Sequence, residues 1–339
     1  MTHAISYQDY LESKRHVDLV CLNRRVSGLF RRLFSSIRNP RVLDAGTGTG
    51  LAIRRLIAFG FNGDAEVWGV EIDEESCAFA LGRVERELRR RNYLIGARGG
   101  GRNERGNNHE NEACGDRWIE GSGEGGNVAV RILREDFLGD LLPARVGGTL
   151  FDCVTAHAFM DMVPIDAAIL RARRLLLDRG IFYSTINYDG LTRLIPEYSD
   201  RSFEDELLRF YDGTMDARRR NGEPTGGSKT GSLIVGALRK CGFSVLDCGP
   251  SDWRVFPRGG RYGRGERTFL AYLLRLIERE NRKNPEVRAG RVDEWIGERL
   301  RAVEEGRLSL FTHQTDVLAV KTEGGGTGAA DTGGNARHA

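Results

Sequence analysis

Arg41-Val42-Leu43-Asp44-Ala45-Gly46-Thr47-Gly48-Thr49-Gly50, followed by a second apolar run ending in an acid, Val67-Trp68-Gly69-Val70-Glu71, is the stretch on which the fold turns. The first run reads as a buried strand, the glycines as a tight turn, and residues 49–59 as a helix leading to the second strand. An open α/β sheet holds a nucleoside with this arrangement. Glycines let the backbone pass close to the ligand, and an acid at the tip of the next strand accepts hydrogen bonds from ribose hydroxyls. Dinucleotide folds use G-x-G-x-x-G, whose third glycine lies in the helix that seats a pyrophosphate. Here the spacing is Gly46-x-Gly48-x-Gly50, with Asp44 two residues upstream. A carboxylate at that point repels a pyrophosphate, orders the turn and suits an ammonium group, which sets a nicotinamide oxidoreductase aside.

The D-x-G-x-G-x-G pattern after a strand resembles the first motif of the class I S-adenosylmethionine (SAM) methyltransferases, and Glu71 matches that family's ribose-binding acid. Further matches follow in order. Val128–Leu133 reads as a third strand, and Glu135-Asp136-Phe137 follows it where the family sets an acid against the adenine amino group and an apolar neighbour on the ring. Leu150–Ala156 reads as the fourth strand, which opens the substrate side. The likeness covers residues 40–190. It implies an α/β fold: a doubly wound, seven-stranded sheet of the class I methyltransferase type with an N-terminal helix and helical elaborations, its last strand antiparallel beside the fifth. It also implies SAM as cofactor, contacted at Asp44, Gly46, Gly48, Gly50, Glu71, Asp136 and Phe137.

Composition is that of a globular enzyme, with 40% hydrophobic and 29% charged residues over 339 positions. No apolar run approaches the ~20 residues of a membrane span, and the N-terminus lacks a basic region followed by an apolar one. The six cysteines contain no C-x-x-C pair and several lie in apolar stretches, so buried reduced thiols are expected, with no metal site. These features imply a cytoplasmic protein without a membrane partner. Net charge is only +3, and Arg89–Arg91 and Arg218–Arg220 are the tight basic clusters. Each sits near an expected helix end, where cations meet the dipole favourably, so nucleic acid is not the expected partner.

The predicted organisation is an N-terminal helical cap over 1–40, a methyltransferase domain over 41–321 and a disordered tail over 322–339. Residues 8–38 read as helix; the resemblance implies that it covers the cofactor, with Tyr10, Arg15 and His16 in reach of it, while a helix that only packs on the sheet fits equally. Residues 96–126, dominated by Gly, Asn and Glu, read as a disordered insertion that buries too little apolar surface to offset its ordering entropy. Segments 188–230 and 251–306 are expected to elaborate the substrate side, around strands at 181–187, 243–248 and 308–320.

Ligands of such sheets bind outside the carboxyl ends of the strands, so the polar residues there are the catalytic candidates: His157, Asp161, Asp189 and Asp252. His157 and Asp161, four apart, would share a helical face and hydrogen-bond, tuning the imidazole as a base. The competing role for His157 is to line the cofactor's methionine end. Gly226-Gly227-Ser228-Lys229-Thr230 lacks the G-x-x-x-x-G-K-[ST] spacing and does not follow a strand, so no nucleoside triphosphate is expected; an anion site and an ordinary helix cap both fit it. His313 is expected to be a structural hydrogen bonder.

The expected function is transfer of a methyl group from SAM to a small-molecule acceptor. The Asn/Asp-Pro-Pro-Tyr/Phe motif of many nucleic-acid and glutamine amino-methyltransferases is absent, its place taken by Ala156-His157-Ala158-Phe159. An RNA or protein methyltransferase and a non-catalytic SAM-binding regulator are the alternatives.

Overall fold

The computed structural model describes residues 5–99 and 116–323. Two helices, α1 (Tyr7–Cys21) and α2 (Arg24–Ser36), precede β1 (Arg41–Ala45), α3 (Leu51–Phe59), β2 (Ala65–Glu71) and α4 (Glu74–Arg90). Then come β3 (Leu94–Gly99), β4 (Arg117–Gly123), β5 (Gly126–Arg134), α5 (Leu142–Arg145), β6 (Phe151–His157), α6 (Ile165–Leu175) and β7 (Leu176–Ile195). The remainder comprises α7 (Arg201–Asp216), β8 (Arg219–Arg220), β9 (Glu223–Pro224), α8 (Thr230–Lys240), β10 (Phe243–Pro250), β11 (Trp253–Val255), α9 (Glu266–Asn281), α10 (Ala289–Glu304) and β12 (Ser309–Lys321).

The main sheet has ten strands, ordered β10-β12-β7-β6-β1-β2-β5-β4-β3, with β11 also paired to β12. β1, β2, β5, β6 and β7 pair in parallel, so the order reverses at β1, and β12 inserts antiparallel between β7 and β10. Those seven strands form the arrangement predicted from sequence, including the antiparallel last strand beside the fifth. The seven-strand count is corrected to ten, because β3 and β4 continue the sheet antiparallel from β5 and β11 adds an edge to β12.

Alternation along the strands divides the core between two faces. Val42, Val67, Cys153 and Leu318 bury against α2, α3 and α4, while Leu43, Val70, Val154 and Val317 bury against α5, α6 and α8. Strands covered on both faces read as continuous apolar runs, which is why the motif strands were visible in sequence. A third cluster sits beyond the ends of β7 and β12, which run on together as a ribbon (Leu194 opposite Leu310) roofed by α7, α9 and α10. Within it the Arg299–Glu204 ion pair is buried, and Trp295 also donates to Glu204 at 2.8 Å.

Two further expectations are corrected. The helix over 8–38 is two helices, because Asn23 caps α2, accepting from the amides of Arg25 and Val26. The insertion over 96–126 is in part sheet: β4 pairs along β5 and buries Ile119 completely, while Trp118 lies over Gly99 and Tyr93 over Gly121 and Gly123. The rest of that segment, and nearly all of the expected 322–339 tail, lie outside the described residues. Among the described residues, no helix is long and apolar enough to cross a membrane.

Candidate active site

The loop after β1 takes its shape from backbone that only glycine adopts easily: Gly46, Gly48 and Gly50 have φ of +66°, +52° and +77°. A Cβ at Gly46 would lie 2.2 Å from the Phe159 ring, and one at Gly48 3.3 Å from Leu11 of α1. Gly50 starts α3 against Ala80. Asp44 braces the turn from beneath, accepting from the Thr155 hydroxyl at 2.6 Å and the Thr47 hydroxyl at 3.0 Å. Burial pushes its carboxyl up to about 7, against those two hydrogen bonds and with the charge of Glu71 adding to the rise.

Glu71 at the tip of β2 accepts from the Gly48 amide at 2.8 Å with one oxygen and from the Asp73 amide at 3.0 Å with the other. The carboxylate is thereby fixed beside the glycine loop, and each oxygen keeps a lone pair for a ligand hydroxyl. After β5, Asp136 accepts from the Leu138 amide at 2.7 Å and pairs with Arg220, while Phe137 meets Phe159 edge-on at 5.7 Å. Gly46, Gly48, Glu71, Asp136, Phe137, Phe159 and Arg220 line one cavity of about 480 Å³, within the size range of small-ligand sites, whereas Asp44 and Gly50 do not.

α1 covers that cavity with one face, Tyr7, Tyr10, Leu11, Lys14 and Asp18, the i, i+3, i+4, i+7, i+11 series of a helix. Of the three residues named on this segment, Tyr10 lines the cavity; Arg15 and His16 do not, and His16 is exposed. Asp18 is fully buried and accepts from Lys14 Nζ at 2.7 Å and Trp253 Nε1 at 2.9 Å, with His157 Nε2 at 3.3 Å. Burial opposes its charge, yet Lys14 and His157 hold its carboxyl below the ordinary value. Sequence reasoning missed Lys14 and Asp18. Their only signal was a charged pair four apart on the same helix face as Leu11 and Tyr10.

The expected His157–Asp161 pair does not form. His157 ends β6 and Ala158 has φ +50°, so the chain turns away instead of entering a regular helix. The imidazole contacts Thr185 through Nδ1 at 2.7 Å and Asp18 through Nε2, leaving neither nitrogen free in the cavity it lines. Asp161 stands apart on the cavity wall in a single 3₁₀ turn, and burial pushes its carboxyl up to about 6. Tyr188, which lines the same cavity, donates to Asp212 at 2.9 Å, and burial likewise raises Asp212 to about 6.

The other two candidates are engaged elsewhere. Asp189 accepts from the Ser232 amide at 2.8 Å and hydroxyl at 2.6 Å, bracing the first turn of α8. Asp252 contacts His313 Nδ1 at 2.7 Å and pairs with Arg254 at 3.0 Å. Neither lines the cavity. The Gly226–Thr230 turn is no open anion site: Asp216 already takes the Ser228 amide at 2.8 Å and its hydroxyl at 3.2 Å.

No protein-family profile matches this chain, and no curated protein matches it. Solved structures do. A methyltransferase candidate from Bacillus halodurans C-125 aligns at 15% identity over 88% of this chain and 100% of its own, with a TM-score of 0.47. Phosphoethanolamine N-methyltransferase 2 of Haemonchus contortus aligns at 15% identity over 95% and 62%, with a TM-score of 0.38. Geranyl diphosphate C-methyltransferase of Streptomyces coelicolor A3(2) aligns at 10% over 88% and 78%, with a TM-score of 0.39. The class I methyltransferase fold of this chain rests on its strand order, with β12 antiparallel beside β7, rather than on these distant likenesses.

Proposed function

We propose that this protein is a SAM-dependent methyltransferase acting on a small-molecule acceptor. One observation carries the reading: Glu71, hydrogen-bonded to the glycine loop, opens into the same cavity as the half-buried carboxyl of Asp161. The residues fit the cofactor. Gly46 and Gly48 form a cradle that a side chain would fill, Glu71 keeps lone pairs for two ribose hydroxyls, and Asp136 and Phe137 border the space for an adenine edge and face. Asp44 and Gly50 act from behind the loop, one holding its turn and the other starting α3.

When bound, SAM supplies a methyl group on a positively charged sulfur. The chain has to align the acceptor, exclude water and, for a hydroxyl or protonated amine, take a proton. Asp161 is the residue we assign as base, ahead of His157, Asp189 and Asp252, because it lines the cavity with no side-chain partner among the described residues and burial raises its carboxyl to about 6. His157 lines the floor, held by Asp18 and Thr185. The cover formed by α1 supports a small acceptor over a polymer, since the site is roofed rather than laid open along a groove.

Isothermal titration with SAM and S-adenosylhomocysteine (SAH) tests the cofactor assignment. Micromolar binding of both is expected, and binding of neither refutes it. Salt-sensitive binding of bulk RNA would shift the reading to a nucleic-acid methyltransferase. SAM binding without transfer to any fraction of a cell extract would leave a regulator.

A further inference from the structure

The polar groups of the cavity can be sorted by whether the protein already satisfies them. Asp18 has Lys14, His157 and Trp253; Glu71 has two backbone amides; Asp136 has the Leu138 amide and Arg220; Tyr188 has Asp212. Three basic side chains of Lys or Arg line the cavity, Lys14, Arg218 and Arg220, and two are neutralised within it, Lys14 by Asp18 and Arg220 by Asp136. Among the described residues, the Arg218 guanidinium has no hydrogen bond and no ion pair.

The local chain explains why. Asp216, the nearest carboxylate in sequence, is turned onto the Ser228 amide and hydroxyl. The turn that carries Arg218 is held at its carbonyl, which accepts from the Thr225 amide at 3.3 Å and from the Arg219 guanidinium at 3.0 Å, and β8 pairs with β9 immediately after it. Arg218, an exposed residue, is thus carried at the cavity by a pinned turn, and it lines the same cavity as Asp161 and Tyr211.

The surroundings constrain what could pair with it. The cavity wall mixes apolar and aromatic side chains, among them Met215, Leu273, Leu276 and Trp253, with the carboxylates already engaged by the protein, and its exposed rim carries Tyr7, Ile72 and Met162. Arg218 is itself exposed at this cavity, and a guanidinium whose fork of donors is unused matches a carboxylate or phosphate on an otherwise apolar body. Resting on the methyltransferase reading, we infer that the acceptor is a small, largely apolar acid, its acid group bound by Arg218 and its methyl-accepting group facing Asp161.

The test uses the full chain in 150 mM NaCl with three probes of one size: benzoate, phenyl phosphate and uncharged benzamide, titrated by ligand-observed NMR with and without SAH. Saturable binding of benzoate or phenyl phosphate at least tenfold tighter than benzamide is expected, and whichever acid wins identifies the group. Arg218→Gln should abolish that preference while SAH affinity stays unchanged. Arg209→Gln, an exposed arginine of α7 that does not line the cavity, should keep it. Equal binding of acid and amide, binding of none of the three, or a preference that survives Arg218→Gln overturns the inference. SAH titration of the same samples separates the two readings: a protein that ignores SAH yet prefers acids through Arg218 loses the methyltransferase assignment and keeps the anion site.

Discussion

Gly46→Ala probes the glycine loop with a magnitude that follows from the geometry. Two costs add. An L-residue held at φ +66° is strained by about 1–2 kcal/mol. The new methyl would also lie 2.2 Å from Phe159 Cδ2 and 2.8 Å from its Cγ, so the ring must move, an overpacking cost of about 1–3 kcal/mol. The single variant should therefore lose about 2–5 kcal/mol in urea unfolding. In a Phe159→Ala background the steric part vanishes and only the backbone strain of about 1–2 kcal/mol remains. The cycle should thus return a coupling of about 1–3 kcal/mol. Coupling below about 0.5 kcal/mol, the level of independent sites, would refute the claim that this glycine exists to admit the ring. In parallel, SAH affinity should fall in Gly46→Ala, because the displaced ring enters the cavity that it lines.

Glu71→Ala should weaken SAH binding by about 1.5–3 kcal/mol, roughly ten- to hundredfold, as hydrogen bonds to a charged group imply; wild-type affinity by calorimetry would sink the ribose assignment. Asp161 has a folded-state value of about 6 against an ordinary 3.8, so its contribution to stability is full below pH ~4 and lost as pH rises through about 6. Asp161→Asn should flatten that fall in a pH series of melting temperatures, and should remove the acid limb near pH 6 from the methyl-transfer rate. Ile119→Ala should cost about 2–4 kcal/mol by urea unfolding, a value typical of a fully buried isoleucine and incompatible with disorder at that position.

The central strands and the glycine loop beside the cavity were legible because two physical signals coincide there. Strands buried on both faces are unbroken apolar runs, and positive φ at Gly46, Gly48 and Gly50 requires the residue that spells the motif. The β3–β4 hairpin was illegible for the converse reason. Trp118 and Tyr93 bury glycines rather than aliphatic side chains, and burial of a glycine leaves no hydrophobic period to read. His157 misled because a four-residue spacing implies a shared helical face only where the backbone is helical, and Ala158 breaks it. Asp189 and Asp252 show a different limit. A carboxylate at a strand end serves equally to brace Ser232, to hold His313 or to take a proton, and only the folded neighbours decide among them. Asp18 was hidden because a charged helical residue reads as solvated until Lys14, His157 and Trp253 are seen around it.

The hydrogen bonds of α1 and α2 to the sheet also bear on how the chain is made. The Asn23 amide donates to Asp316 at 2.8 Å, across 293 residues, and Asp18 takes its indole donor from Trp253, 235 residues away. The same Asp316 holds the Ile186 amide at 2.9 Å, fixing a β-branched residue at φ +58° in the cavity floor. These two helices leave the ribosome before β11 and β12 and therefore find these partners only after those strands have been synthesised. Until then Asp18 lacks its indole donor and the Asn23 amide its carboxylate, and contacts of such long sequence separation form slowly. Closure of the roof over the cavity is thereby a late event in the life of the nascent chain, and a chain interrupted before β12 leaves the site without its floor anchor as well as its cover.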